Sequence, residues 1–182
     1  MAGNTNMQSR KAQVWVETVV YMLIGLSIIG LVLAFAMPKI NEIKDKAVIE
    51  QTITALNEID SKIMEVGFTA GNTRTVYFKI GRGEIDINGA GDKITFILPD
   101  SRYTYSEPGR ITYIGDIIAK TEKKGRINSV ELMLNYSGRF DIRWQGMEQE
   151  KQLFKAPSPY KLLIENNGSE TSSGSVIDLR EA

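Results

Sequence analysis

The residue in the most unusual chemical setting is Glu17, a lone carboxylate at the start of a long apolar run. An ionisable group inside such a run costs up to about 2.5–3.5 kcal/mol at a bilayer centre, less near the interface, unless it has a partner or a task. Val14, Trp15 and Val16 lie on its outer side, which argues that Glu17 sits within the apolar segment and is not merely its rim. The chemistry open to it is pairing with a cation brought by a neighbour. Elsewhere Glu84, Asp86, Asp92, Asp100 and Glu107 supply carboxylates, but nothing in their spacing makes two of them converge on a cleft.

The chain has no histidine and no cysteine. That removes disulfides, thiolate nucleophiles, thiolate-bound metals and every histidine acid, base or ligand. An enzyme would have to work with carboxylates, lysines, serines and tyrosines; no such constellation is visible, so neither catalysis nor a cofactor nor a metal is expected. Gly81, Gly83, Gly89 and Gly91 fit no phosphate-binding spacing between a strand and a helix and read as hairpin turns. A loop such as Asn88 to Asp92 could gather oxygens round a hard cation. Two Asn-x-Ser sequons, at Asn135 and Asn167, become possible glycosylation sites if their domain is exported. Asn167 is the better placed of the two, in an expected turn, whereas Asn135 falls on the wet face of a strand.

The elements that must carry these residues begin with a membrane-length helix. From Thr18 to Met37 twenty residues pass without a charge, which at about 1.5 Å per helical residue spans roughly 30 Å, the thickness of bilayer hydrocarbon. A cleaved secretory signal has a shorter apolar core and a small-residue site behind it. Here Pro38, Lys39 and a helical pattern follow, so the segment is expected to stay. Gly25, Ser27 and Gly30 would let neighbouring helices come close. Basic residues flank both ends, Arg10 and Lys11 before, Lys39, Lys44 and Lys46 after, so charge alone does not orient the span.

Arg10, Lys11, Ala12, Gln13 and Glu17, with the apolar helix behind them, give the sequence its resemblance to archaeal type IV pilin-like proteins that carry a class III signal peptide. Trp15 and Tyr21 stand where that family often has serine and leucine. The resemblance implies a leader of residues 1–12 with Arg10 and Lys11 as its charge, and cutting between Ala12 and Gln13 by a prepilin peptidase. It further implies assembly with the pilus machinery into a helical homo-oligomer, in which Glu17 pairs with the new amine of Gln13 on a neighbour. The protein would sit in the membrane as a single-pass subunit before assembly and in an extracellular filament afterwards, serving adhesion or surface contact.

Beyond Pro38, Ile40, Ile43, Ala47, Ile53, Leu56, Ile59, Ile63 and Val66 recur mostly every three or four residues, predicting one long helix over 13–66 with a kink or short break at Pro38 and a stop at Gly67. From residue 74 the period becomes two. Runs such as RTVYFKI, RYTYS, ITYIGDIIA and RINSVELMLNY, separated by Gly- and Asn-rich turns, predict eight or nine strands over 74–182. Ser169 to Ser175 reads as a flexible loop before the last strand. The fold class expected is therefore α+β, a long N-terminal helix followed by an antiparallel β-sandwich or curved sheet outside the cell. Basic and acidic residues number 22 each; with Arg10 and Lys11 removed the remainder is 20 against 22. There is no basic field for nucleic acid to meet, and strand aromatics such as Tyr103, Tyr105 and Tyr113 read as packing residues.

Overall fold

Helix α1 runs without interruption over Thr5–Gly67 in a computed structural model that describes residues 5–182 apart from Arg126 and Ser173, with side chains from Trp15 onward. Pro38 lies inside the helix and does not end it, which removes the short break and leaves the kink of the two alternatives. The chain divides into two compact units, residues 1–41 and residues 42–182.

Among the described residues ten strands follow the helix: β1 Thr73–Phe78, β2 Glu84–Asn88, β3 Lys93–Ser101, β4 Ile111–Ile114, β5 Ile117–Lys124, β6 Ile127–Asn135, β7 Phe140–Trp144, β8 Glu150–Phe154, β9 Tyr160–Thr171 and β10 Gly174–Glu181. They form two sheets, one of four strands in the order β1-β9-β10-β7 and one of six in the order β4-β5-β6-β3-β2-β8. The expected antiparallel pairing holds everywhere but once, where β10 lies parallel to β7. The path of the chain explains the exception. After β7 it crosses to the six-stranded sheet to place β8 beside β2, and returns as the β9-β10 hairpin, so β10 cannot reach β7 through a tight turn.

One stripe of α1 and the inner faces of both sheets meet in a single core. The stripe is Ile49, Leu56, Ile59, Ile63 and Val66, spaced so that each lies within a turn or two of the next on one side of the helix. Ile40, Ile43 and Ala47, expected to continue it, are exposed. Asp45 is buried on that stripe instead, 1% exposed. Its carboxylate accepts hydrogen bonds from the Arg82 guanidinium and from the backbone N–H of Arg102 at 2.8 Å. Arg82 also donates to the carbonyls of Pro99 and Asp100. An acid there is tolerable because every buried charge it brings is matched.

On β6 the predicted alternation is present, with Val130, Leu132 and Leu134 buried between more open neighbours, and Tyr136, just past the strand, is buried too. Other elements differ from expectation. ITYIGDIIA is two strands joined at Gly115 and Asp116, with Gly115 at φ 60, the positive-φ residue that opens a tight hairpin turn. RYTYS forms no strand; Tyr103 and Tyr105 pack against the core from a loop, ring edge to ring face at 6.5 Å. Ser169 to Ser175 is no free loop, because β9 and β10 pair up to Thr171 and Gly174. Asn166 to Gly168, expected as a turn, belongs to β9, and a register shift against β10 there throws Asn167 and Gly168 out as a bulge.

The C-terminal end of α1 is closed from a distance. Asn166 is buried, and its Nδ2 donates to the carbonyls of Val66 at 3.0 Å and Gly67 at 3.1 Å, two of the acceptors a helix end leaves over. Its Oδ1 accepts from the N–H of Gly168. Gly67 is a glycine for a steric reason: a Cβ there would lie 2.3 Å from Cζ of Phe140.

Candidate membrane and assembly segment

Residues Trp15 to Met37 keep helical geometry and turn sixteen large apolar side chains outward, all of them exposed. Trp15 is 71% exposed, Leu23 58% and Phe35 77%. They do not form a stripe. Leu23, Ile24, Leu26, Ile28 and Ile29 alone cover most of the circumference at 100° per residue. Each such side chain left in water forgoes about 1.5–3 kcal/mol of burial, and a helix apolar on every side is covered by lipid or by other protein. Among the described residues this is the one helix long and apolar enough to cross a membrane.

Within that surface the polar groups are few and mostly turned back on the helix. Ser27 donates its hydroxyl to the carbonyl of Leu23 at 2.7 Å. Tyr21 donates to Oε1 of Glu17 at 3.2 Å, one turn apart. Among the described residues the carboxylate thus has this partner on its own helix, and Glu17 is exposed. A Cβ at Gly25 or Gly30 would meet nothing within 4 Å, so neither glycine is required by this chain's own packing. Arg10, Lys11, Ala12 and Gln13 lie in the helical stretch, but their side chains are outside the described residues.

Oδ1 of Asp92 accepts from the backbone N–H of Ile142 at 2.9 Å, and Oδ1 of Asn88 from the N–H of Gly91, so two of that loop's three side-chain oxygens are engaged by backbone. Asp100 stands in a strand irregularity at φ 53, and Glu107 pairs with Arg110 on an exposed loop. Glu84 and Asp86 share the outer face of β2. Burial, then the charges of Glu150 and Glu84, push the Asp86 carboxyl up to about 6, and its Oδ1 is buried without a hydrogen-bond partner. Among the described residues no group of three or more acids is placed to hold a metal ion.

No family model, curated protein or solved structure matches the chain. Its functional reading therefore rests on its own residues. Four of the most consequential were not singled out as site residues from sequence. Tyr21, the partner of Glu17, carried a weak signal, a phenol one helical turn after an acid in an apolar run. Asp45 and the pair of Tyr136 with Asp60, 2.9 Å apart, carried none, because their partners are far along the chain. Burial pushes the Asp60 carboxyl up, partly offset by the Tyr136 hydroxyl.

Both sequon asparagines are exposed. Oδ1 of Asn135 accepts the N–H of Ser137 at 3.1 Å and its hydroxyl at 2.8 Å; Oδ1 of Asn167 accepts the N–H of Ser169 at 2.9 Å.

Proposed function

We propose that this chain is the structural subunit of a type IV pilus-like surface filament, cut between Ala12 and Gln13 by a prepilin peptidase and assembled through its apolar helix. The observation that carries the reading is the helix from Trp15 to Met37, exposed and apolar on every side, with one acid near its start. Lipid covers such a surface before assembly, and a bundle of identical helices covers it afterwards. In that bundle Glu17 faces the amine of Gln13 on the next subunit. Two unit charges about 4 Å apart gain roughly 4 kcal/mol at an effective dielectric near 20 before desolvation, and a slipped register leaves both unpaired in an apolar surrounding. Gly25 and Gly30, free of any demand from their own chain, suit close approach of neighbours. Residues 42–182 then form the filament surface and make the contacts that give adhesion.

A second reading is a membrane-anchored minor subunit or archaellum accessory protein that does not polymerise and whose β-unit binds the surface layer. The hydrogen bond from Tyr21 to Glu17 favours it, since the carboxylate already has a partner on its own helix. Two measurements decide. N-terminal sequencing of the exported protein is expected to begin at Gln13, and Met1 intact contradicts the processing step. Glu17→Gln is expected to leave the membrane-bound amount unchanged and to abolish filaments; normal filaments from that variant refute the assembly role.

A further inference from the structure

An exposed sheet edge offers unpaired N–H and C=O groups to any other strand, and proteins blunt such edges with charge, proline or a bulge. Among the described residues four strands lie at sheet edges, β1 and β7 in the four-stranded sheet, β4 and β8 in the six-stranded one. Arg74 sits in β1, Asp141 and Arg143 in β7, Glu150 and Lys151 in β8. β4 reads Ile-Thr-Tyr-Ile and has no charge at all, yet Ile111 is 56% exposed and Tyr113 70%. We propose that β4 is a self-recognition edge: two copies of this chain join β4 to β4, antiparallel about a two-fold axis, with Ile111 opposite Tyr113 of the second copy and Thr112 opposite its counterpart. The contact involves residues 42–182 alone and does not rest on the filament reading.

The backbone of β4 has the right parity for this register. β4 and β5 are joined by the two residues Gly115 and Asp116, so Ile114–Ile117 is the hydrogen-bonded pair that closes the turn, and Thr112–Ala119 is the next. The N–H and C=O groups of Ile111 and Tyr113 therefore point away from β5, to the free edge. Set opposite each other across the axis, each Ile111–Tyr113 pair exchanges both of its hydrogen bonds. A slip of one residue turns those groups toward neighbours whose own are already taken by β5. A slip of two carries one residue of each pair past the end of the other strand.

Side chains and charge favour the same arrangement. Ile111 and Tyr113 stand on the outer face of the sheet, Ile111 in a row with Lys120 and Glu131, Tyr113 in a row with Ile118 and Met133. A shallow groove of about 240 Å³ runs between Ile111, Ile118, Lys120, Glu131 and Met133, and Tyr113 of the second copy comes to its mouth beside Ile111. An aromatic against a β-branched side chain and threonine against threonine are both favourable cross-strand pairs. Arg110 precedes the strand and Asp116 follows it, both exposed. Antiparallel pairing brings Arg110 of each copy to the end where Asp116 of the other lies, whereas parallel pairing sets like charge on like. The salt bridge of Arg110 to Glu107 is exposed and holds it only weakly.

The contact is isologous, so it closes in pairs and does not extend a helical polymer. It is separate from the association of apolar helices. Two short strands bury less than a standard interface, so the pairing is weak between free molecules and is felt where copies are crowded on a membrane or surface.

The test uses full-length chain in the membrane fraction of the cells that make it, which has no native cysteine. Thr112→Cys sets two thiols on a pair with Cα atoms about 4.5 Å apart, within reach of a disulfide, and mild oxidation is expected to give a linked dimer. Gln152→Cys, exposed on the opposite edge strand β8, controls for random collision and is expected to stay monomeric. In the Thr112→Cys background Tyr113→Lys and Arg110→Glu are each expected to lower the linked fraction about tenfold, since every substitution counts twice across the axis. Arg110→Glu combined with Asp116→Arg is expected to restore it, which also shows that the chain still folds. Linking of Thr112→Cys no greater than that of Gln152→Cys overturns the proposal. So does linking that Tyr113→Lys leaves unchanged, or a double charge reversal that recovers nothing of what Arg110→Glu loses.

Discussion

Asn166 ties two parts of the fold that are a hundred residues apart, and replacing it measures what that tie is worth. Its Nδ2 bonds the carbonyls of Val66 and Gly67, its Oδ1 bonds the N–H of Gly168, and Asn166 itself is 2% exposed. In Asn166→Ala the Val66 carbonyl keeps one partner, the N–H of Thr69 at 3.1 Å, whereas the Gly67 carbonyl and the Gly168 N–H lose theirs. The buried Gly67 carbonyl left unpaired costs about 1–3 kcal/mol, whereas Gly168 is exposed and its N–H turns to water, so the variant should lose about 1–3 kcal/mol. Asn166→Asp keeps the volume but sets a carboxylate against two carbonyls at the negative end of a helix, and should be less stable than the alanine variant at pH 7. The introduced carboxyl is held above its unfolded pKa, so its penalty is absent below that value and full above the folded one; lowering the pH should restore stability. Urea unfolding of full-length chain in detergent micelles, followed by far-ultraviolet circular dichroism, gives the order. An alanine variant within about 0.5 kcal/mol of wild type, or an aspartate variant above the alanine one at pH 7, would refute the capping role.

Three further outcomes can be read in the same unfolding assay. Asp86, raised to about 6 by burial and by Glu150 and Glu84, carries a penalty absent below its unfolded value near 4 and complete above about pH 6. The full shift would be worth nearly 3 kcal/mol, and partial exposure reduces that; Asp86→Asn should stabilise the protein by about 1 kcal/mol at pH 7 and by nothing at pH 4. Gly67→Ala puts a methyl 2.3 Å from the Phe140 ring and should cost about 1–3 kcal/mol. In a Phe140→Leu background the same change should cost clearly less, as a double-mutant cycle would record. Asp45→Ala strips Arg82 and the Arg102 N–H of their shared acceptor and should cost about 3 kcal/mol, with little change if Arg82 simply moves into water.

Local pattern carried much of the fold. The charge-free run from Thr18 to Met37 and the alternation from Val130 to Tyr136 are strong one-dimensional signals, and the structure has the helix and strand they predict. Weaker elements failed for identifiable reasons. A two-residue turn at Gly115 hides inside a nine-residue apolar run, so β4 and β5 looked like one strand. β8 reads EKQLF, too polar to signal a strand, and is held by its pairing with β2. The SETSSG segment has the composition of a linker and the geometry of a hairpin, because its backbone pairs with itself. Tyr103 and Tyr105 alternate like strand residues yet pack from a loop. Asp45 and Asn166 were unreadable as buried residues, since each is tolerable in the core only through partners 37 or a hundred positions away. The parallel β7-β10 pair is a property of the path between sheets, which no local pattern encodes.

The most direct test is electron cryo-microscopy of surface material sheared from the cells that make this protein. The account predicts filaments of this one chain, each copy beginning at Gln13, with the segment from Trp15 to Met37 bundled along the axis and the ten-stranded unit outermost. Recovery of the chain solely as a lone membrane-bound copy would contradict assembly. A freely soluble product lacking residues 13–37 would contradict the anchor as well.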